Sequence, residues 1–257
     1  MSLLFLDGFD HYTVIDEKWD AQAFATAFVI SHDQGRFTPG AIKVKGTGGG
    51  GQIEKSITSS IEVIAGFAHN NINADSHDGK WFFKDNLGGL AVVLVNATSG
   101  IGTLTYNGES ITTAASVFTG SVWEHIEFRI KAHDSLGELE LRRNGSTVAS
   151  GINLDTFPAG FTGFVTFAIG ATDNSMVHYT DDLYVLNTEG TVNNTFAGDT
   201  RITALRPNAN GLDNNFTPFG AATNFEAVDD LQHDQDATYV EAGQTGAKES
   251  YNNFDFA

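Results

Sequence analysis

Apolar and polar residues alternate with a period of two along most of the first 190 positions. In His125–Lys131, Ile126, Phe128 and Ile130 share one face, and the charges take the other, as in a half-buried strand. Glu138–Arg142 repeats the pattern, meets Asn144-Gly145, and returns through Thr147-Val148-Ala149. Asn-Gly favours the tight turn of a β-hairpin. Tyr106-Asn107-Gly108 marks a second hairpin, between Thr103–Tyr106 and Ser110–Thr113. Leu90–Val95 is apolar on both faces and reads as a central strand; Gly163–Gly170 and Tyr179–Leu186 are two more. Ala41–Lys45, Gln52–Ile57 and Ile61–Phe67 complete the set. The β-branched content of Ser56–His69 argues against a helix there. No long amphipathic helix is visible. Many short antiparallel strands without helices predict a two-sheet sandwich.

The pattern changes after Asn187. From Thr191 to Ala257 there are 3 basic and 10 acidic residues, net −7, and the first 190 residues carry 11 and 22, net −11. Thr200–Leu205 is the clearest strand signal in this part and Ala237–Val240 a weaker one. Asn, Asp and Gly dominate the rest. Yet Phe196, Phe216, Phe219, Phe225, Tyr239, Tyr251, Phe254 and Phe256 remain, and they require a surface to cover them. The expected organisation is a sandwich over 1–188 and an acidic, aromatic-bearing, loop-rich appendage over 189–257.

Composition narrows the function classes. The net charge of −18 repels phosphate backbones, so nucleic acid is excluded as an expected partner. The absence of Cys rules out disulfides and thiolate metal sites. Met1–Leu6 has no basic stretch before it, and its apolar run stops at Asp7. The expectation is therefore a chain without a signal peptide and without membrane insertion.

Three stretches resemble the concanavalin A-like (laminin G-like) jelly roll: LDGFDHY with Trp19, WEHIEFRIKA followed by GELELRRNGSTVASG, and YTDDLYVLN. The resemblance implies that the first and last strands lie side by side, pairing Leu4–Phe9 with Asp182–Leu186. The segments GDTRITALRPNANG, FTPFGAATNFEAVDD and ATYVEAGQTGAKESY resemble a region that follows such jelly rolls in tailed-bacteriophage structural proteins. That likeness implies a non-enzymatic virion component, a capsid-decorating or tail, fibre or baseplate protein. It would be assembled in the host cytoplasm, displayed on the particle surface, and associated with other virion subunits and copies of itself. A carbohydrate-binding module for host-surface glycans is the alternative, and a polysaccharide-degrading enzyme the third reading.

The candidate chemistry is thin. A glycosidase needs two carboxylates across a cleft. Glu138 and Glu140 share a face beside Arg142 and Arg143 and read as a solvated strand surface, whereas Glu124 and Glu127 point to opposite faces. Asp7, Asp10, Asp181 and Asp182 read as turn and edge-strand carboxylates, with a shared structural calcium as the alternative. His69, Asp75, His77 and Asp78 read as a polar loop rather than a zinc site. Asp229–Asp236 lacks the Gly and distal Glu of an EF-hand loop, and Gly46–Gly51 lacks the ending of a phosphate loop. The Asn-x-Ser/Thr triplets at Asn96, Asn144, Asn193 and Asn215 matter only in a secretory route. Trp19, Trp81 and Trp123 are core residues or sugar-stacking platforms, with Trp81 expected to be partly exposed between Lys80 and Lys84. No catalytic, cofactor or metal residue is assigned.

Overall fold

A computed structural model describes residues 2–23, 27–37, 40–45, 51–71, 78–96, 98–171, 177–230 and 237–253. Asp75, His77, Gly46–Gly50, 231–236, Phe254 and Phe256 lie outside the described residues. The chain forms two compact units. The first contains 1–9 and 14–202, and the second 10–13 and 203–257.

The first unit is an antiparallel two-sheet sandwich. Its eight-stranded sheet contains β1 (Leu3–Asp7), β3 (Phe28–Ser31), β4 (Ala41–Lys45), β6 (Glu62–Asn71), β11 (Glu124–Lys131), β12 (Gly137–Arg143), β13 (Ser146–Leu154) and β15 (Val177–Asn187). The order is β13-β12-β11-β6-β15-β4-β3, with β1 also on β15. The seven-stranded sheet contains β2 (Ala21–Ala23), β5 (Gln52–Ser60), β7 (Asp78–Asp85), β8 (Leu90–Asn96), β9 (Ile101–Tyr106), β10 (Glu109–Thr112) and β14 (Phe164–Ala171). Ile15–Glu17 forms a 3-10 turn. The expected all-β jelly roll is therefore present.

Both predicted hairpins form. Asn107 and Gly108 have φ of 50° and 84°, and Asn144 and Gly145 have 49° and 78°, the left-handed pair that a two-residue turn needs. The first and last strands pair as expected, with Leu3 opposite Leu186 and Asp7 opposite Leu183. The core between the sheets is aromatic. Phe67 stacks on Trp81 at 4.4 Å, and Phe83 meets Phe128, Phe164 and Phe167 at 5.5, 5.9 and 5.3 Å.

Two expectations are corrected here. Trp81 is fully buried rather than partly exposed, because it faces the core with its indole N–H donating to Thr180 Oγ1 at 3.1 Å. The flanking Lys80 and Lys84 instead cover Phe82 on the opposite face. Thr200–Leu205 is not a strand. Two of its amides bond to side chains instead, Ile202 N–H donating to Asp182 at 2.7 Å and Ala204 N–H to Asp10 at 2.9 Å.

The second unit holds two ribbons, β16 (Pro207–Asn214) with β19 (Glu249–Asn253) and β17 (Phe216–Phe219) with β18 (Tyr239–Ala242). Phe219 stacks on Tyr239 at 4.7 Å, and Asn224 Nδ2 ties the loop to the Phe216 carbonyl and Asn214 Oδ1.

Candidate functional site

The chemistry gathers on the outer face of the eight-stranded sheet. Register places Tyr184 of β15 opposite Gly66 of β6, Gly66 opposite Glu127 of β11, and Glu127 opposite Arg142 of β12. In the next row Asp181 lies opposite Ala68, and Ala68 opposite His125. Their neighbours Leu183, Phe67, Ile126 and Leu141 fill the core, so alternation turns this polar set outward.

Local devices shape the set. A Cβ on Gly66 would fall 2.2 Å from the Tyr184 ring, so only glycine lets that ring lie flat across the sheet. Lying there, the Tyr184 hydroxyl donates to Glu127 Oε1. A bulge interrupts the β15–β6 register between Asp181 and Tyr184, where Asp182 has φ of 50°, a conformation rare for a residue with a Cβ. The bulge brings a second carboxylate, Asp182, to the Asp181 side, beside Arg36, whose amide donates to Asp181 Oδ2 at 2.9 Å.

The expectation that the charged face of His125–Lys131 stands in solvent holds only for Arg129 and Lys131. His125 and Glu127 are buried, because the segment following β15 crosses over them. Ala197 N–H donates to the Tyr184 hydroxyl at 3.2 Å and Gly198 N–H to Glu127 Oε1 at 2.9 Å. The Arg142 guanidinium lies 3.8 Å from the Phe196 ring centroid, and Asp199 pairs with Arg36 at 2.7 Å. Phe196 and Ile202 pack on Ile64, Tyr184 and Leu186. Under this strap, neither ring nitrogen of His125 and not the second oxygen of Glu127 has a hydrogen-bond partner among the described residues.

Burial dominates the electrostatics. It pushes the Tyr184 phenol well above its ordinary value, with Glu127 adding to the effect. It pushes His125 below the ordinary imidazole value, against the pull of Glu127 and Asp199. It raises Asp182, whereas the hydrogen bond from Arg36 lowers Asp199.

The residues singled out from sequence fall elsewhere. Glu138 pairs with Lys131 at 2.8 Å, and Glu140 with Arg142 Nε at 2.8 Å, as a charged strand surface does. Glu124 lies on the core side and accepts from the Thr119 amide and Arg143. His69 is not in a polar loop: it lies in β6, in the core, with its ring 4.7 Å from Trp81 and 5.2 Å from His178. Asp7 accepts from Trp19 Nε1 at 3.0 Å and Lys18 at 3.1 Å, and Asp10 from Thr203 and Ala204. Each candidate calcium carboxylate thus has protein donors of its own, and no cluster of three metal-ligating side chains occurs among the described residues. Trp123 is half-buried just before β11. The site residues Tyr184, Glu127 and His125 were not singled out as a set. The signal that marks them is Gly66 inside an otherwise apolar, β-branched strand.

This architecture is a two-sheet jelly-roll sandwich. No family model and no curated protein matches the chain by sequence. Among solved structures it is similar to the endo-β-1,4-glucuronan lyase of the fungus Trichoderma reesei. The two share 13% identity and a TM-score of 0.51, over 71% of this chain and 94% of the lyase. It is also similar to the alginate lyase Aly36B, with 12% identity and a TM-score of 0.51, over 72% and 96% of the two chains. A sialidase matches with 10% identity and a TM-score of 0.56, over 73% of this chain and 19% of that one. At such identities the likeness establishes the fold. It also corrects the reading as a tailed-phage structural component: the neighbours carry carbohydrate-active names, and nothing phage-specific stands among them.

Proposed function

We infer that this chain is a carbohydrate-binding protein whose ligand face is the outer surface of the eight-stranded sheet. One observation carries the reading: a phenol ring, a carboxylate, a guanidinium and an imidazole in adjacent register positions, with hydrogen-bonding atoms left over. Sugar recognition uses these parts, an aromatic face for the ring and fixed polar groups for its hydroxyls. The fold shared with glucuronan and alginate lyases supports the same class. The ligand expected here is an uncharged, hydroxyl-rich glycan. The net charge of −18 opposes a polyanion, and cations on this face are engaged by carboxylates of the sheet itself, Lys131 by Glu138, Arg142 by Glu140, Arg129 by Glu62 and Arg36 by Asp182.

A polysaccharide lyase is the second reading, favoured by the Tyr184 and His125 rings 6.3 Å apart, a phenol and an imidazole able to exchange protons with one substrate. Binding comes first because the Tyr184 hydroxyl is already committed as a donor to Glu127, and burial with Glu127 raises its phenol above the ordinary value.

The test is a glycan array probed with the full chain displayed multivalently, so that weak affinity is retained. Neutral glycans should be bound in preference to polyuronates, and Glu127→Gln should abolish the signal. Retention on no glycan overturns the reading. Release of unsaturated sugar ends from a polysaccharide would move the assignment to the lyase.

A further inference from the structure

The segment Gly190–Ile202 behaves toward the sheet face as a ligand would. It presents two main-chain amides to the Tyr184 hydroxyl and Glu127, an aromatic ring to Arg142, and a carboxylate to Arg36. It is lightly held. From Gly190 to Asp199 only Phe196 and Gly198 are half-buried, the rest being exposed, and no residue of the segment joins a strand. A pocket of about 280 Å³, lined by Ser2, Leu3 and Gly190–Asn193, lies at its start. It is also an incomplete fit. Both His125 nitrogens, Glu127 Oε2 and Thr200 Oγ1 are buried there without a hydrogen-bond partner among the described residues. Buried polar groups rarely go unpaired, and these, unlike the unmet nitrogens of His69 and His178 in the core, lie beneath a mostly exposed segment of main chain.

From the loose hold together with the unmet polar atoms, we propose that Gly190–Ile202 is a displaceable plug that occupies the glycan site and is expelled by the ligand. This rests on the carbohydrate-binding reading above. In the closed form the amides of Ala197 and Gly198 stand where sugar hydroxyls bind, and Phe196 stands where a sugar ring meets Arg142. A sugar carries several hydroxyls on one rigid ring, so it can satisfy Glu127 Oε2 and His125 as well as the positions the plug now fills. The open fraction of the chain then sets the apparent affinity, which falls in proportion as the plug is seated more firmly.

The test uses the full chain and two variants, with binding measured by titration against the glycan class retained on the array. Phe196→Ala removes the ring from Arg142. A second variant replaces Thr191–Asp199 with an equal length of Gly and Ser, which removes the Phe196 and Asp199 side-chain anchors together and loosens the main chain that carries the two amides. Hydrogen exchange at the Tyr184–Val185 and Glu127–Phe128 amides, with the circular dichroism of the sheets, verifies that the sandwich stays folded. Affinity should rise about tenfold or more in the replaced variant and less in Phe196→Ala. Adding Glu127→Gln to the replaced variant should abolish binding. Equal affinity in wild type and in the replaced variant overturns the plug while leaving the carbohydrate reading intact. A folded replaced variant that binds no glycan overturns both.

Discussion

The two outer faces of the sandwich are built on the same scaffold and are used differently. On the seven-stranded sheet a cross-strand row runs Thr105, Val92, Phe82, Ala168, Glu54. Its one large ring, Phe82, is covered by the stems of Lys80 and Lys84, with their ammonium groups 4.8 and 5.8 Å from the ring, and Lys84 pairs with Glu54 at 2.6 Å. No buried polar atom of this sheet is left unpartnered among the described residues. The corresponding row on the eight-stranded sheet is Tyr184, Gly66, Glu127, Arg142, and it is roofed by main chain that leaves polar atoms unmet. One face is a finished surface. The other holds unused hydrogen-bonding capacity, which is destabilising unless something binds it. The fold alone does not distinguish them; the polar pattern does.

The comparison can be broken at four places. The largest effect comes from the core both faces share: Trp81→Ala should cost about 3–5 kcal/mol in urea unfolding, from lost contacts with Phe67 and a lost hydrogen bond to Thr180. A change near zero would mean that the two sheets do not depend on this ring.

Acid comes next. His69 is pushed by burial to about 3, and burial also pushes His178 and His125 down. The unfolded chain takes up these protons near pH 6.5 and the folded chain does not, so stability is complete above that pH and falls as pH drops below it. His69, held down to about 3, contributes a slope of about 1.4 kcal/mol per pH unit below pH 6.5, and His178 and His125 add to it in the same direction. His125→Gln should lessen that slope without altering the share of the core pair. An unchanged slope would show that His125 is open to solvent and the roof absent.

Glycine substitution separates the faces directly. Gly66→Ala forces the Tyr184 ring off the sheet, at about 1–3 kcal/mol by the usual cost of overpacking. In the other sheet a Cβ at Gly170 meets Phe82 at 3.2 Å, the flexible Lys80 stem at 3.3 Å and the Gly51 carbonyl oxygen at an ordinary 3.6 Å, so Gly170→Ala should cost clearly less. Equal costs would erase the distinction. The smallest effect is expected on the finished surface, where Lys84→Ala should change stability by about 0–1 kcal/mol, because its pair with Glu54 is partly exposed.

The strands of the sandwich were legible because each buries one side, and burial writes a period of two into the sequence. The Asn-Gly turns were legible because few other residues tolerate their φ. The ribbons β16 to β19 were mostly not: the weak signal at Ala237–Val240 overlaps β18, but PNANGLDN buries almost nothing and so carries no alternation. Trp81 was misplaced because three aromatics in a row, Trp81-Phe82-Phe83, hide which of them face inward. The polar face was half legible. Alternation put His125 and Glu127 outward, but the roof over them comes from a segment with no period, held by main-chain amides whose partners are 71 residues apart in the case of Gly198 and Glu127.

The strand β15 has a consequence for how the chain acquires its structure. Its first half pairs with β4, its second half with β1, and its other edge with β6. Until residues 177–187 leave the ribosome, β1 and β4 have no partner on that side and β6 has an open edge. Formation of the eight-stranded sheet is therefore a late event with long loop closures, slow by the usual dependence of rate on contact separation. For that interval the nascent chain exposes three strand edges to its neighbours. Its yield in a cell should depend on how fast translation reaches Asn187.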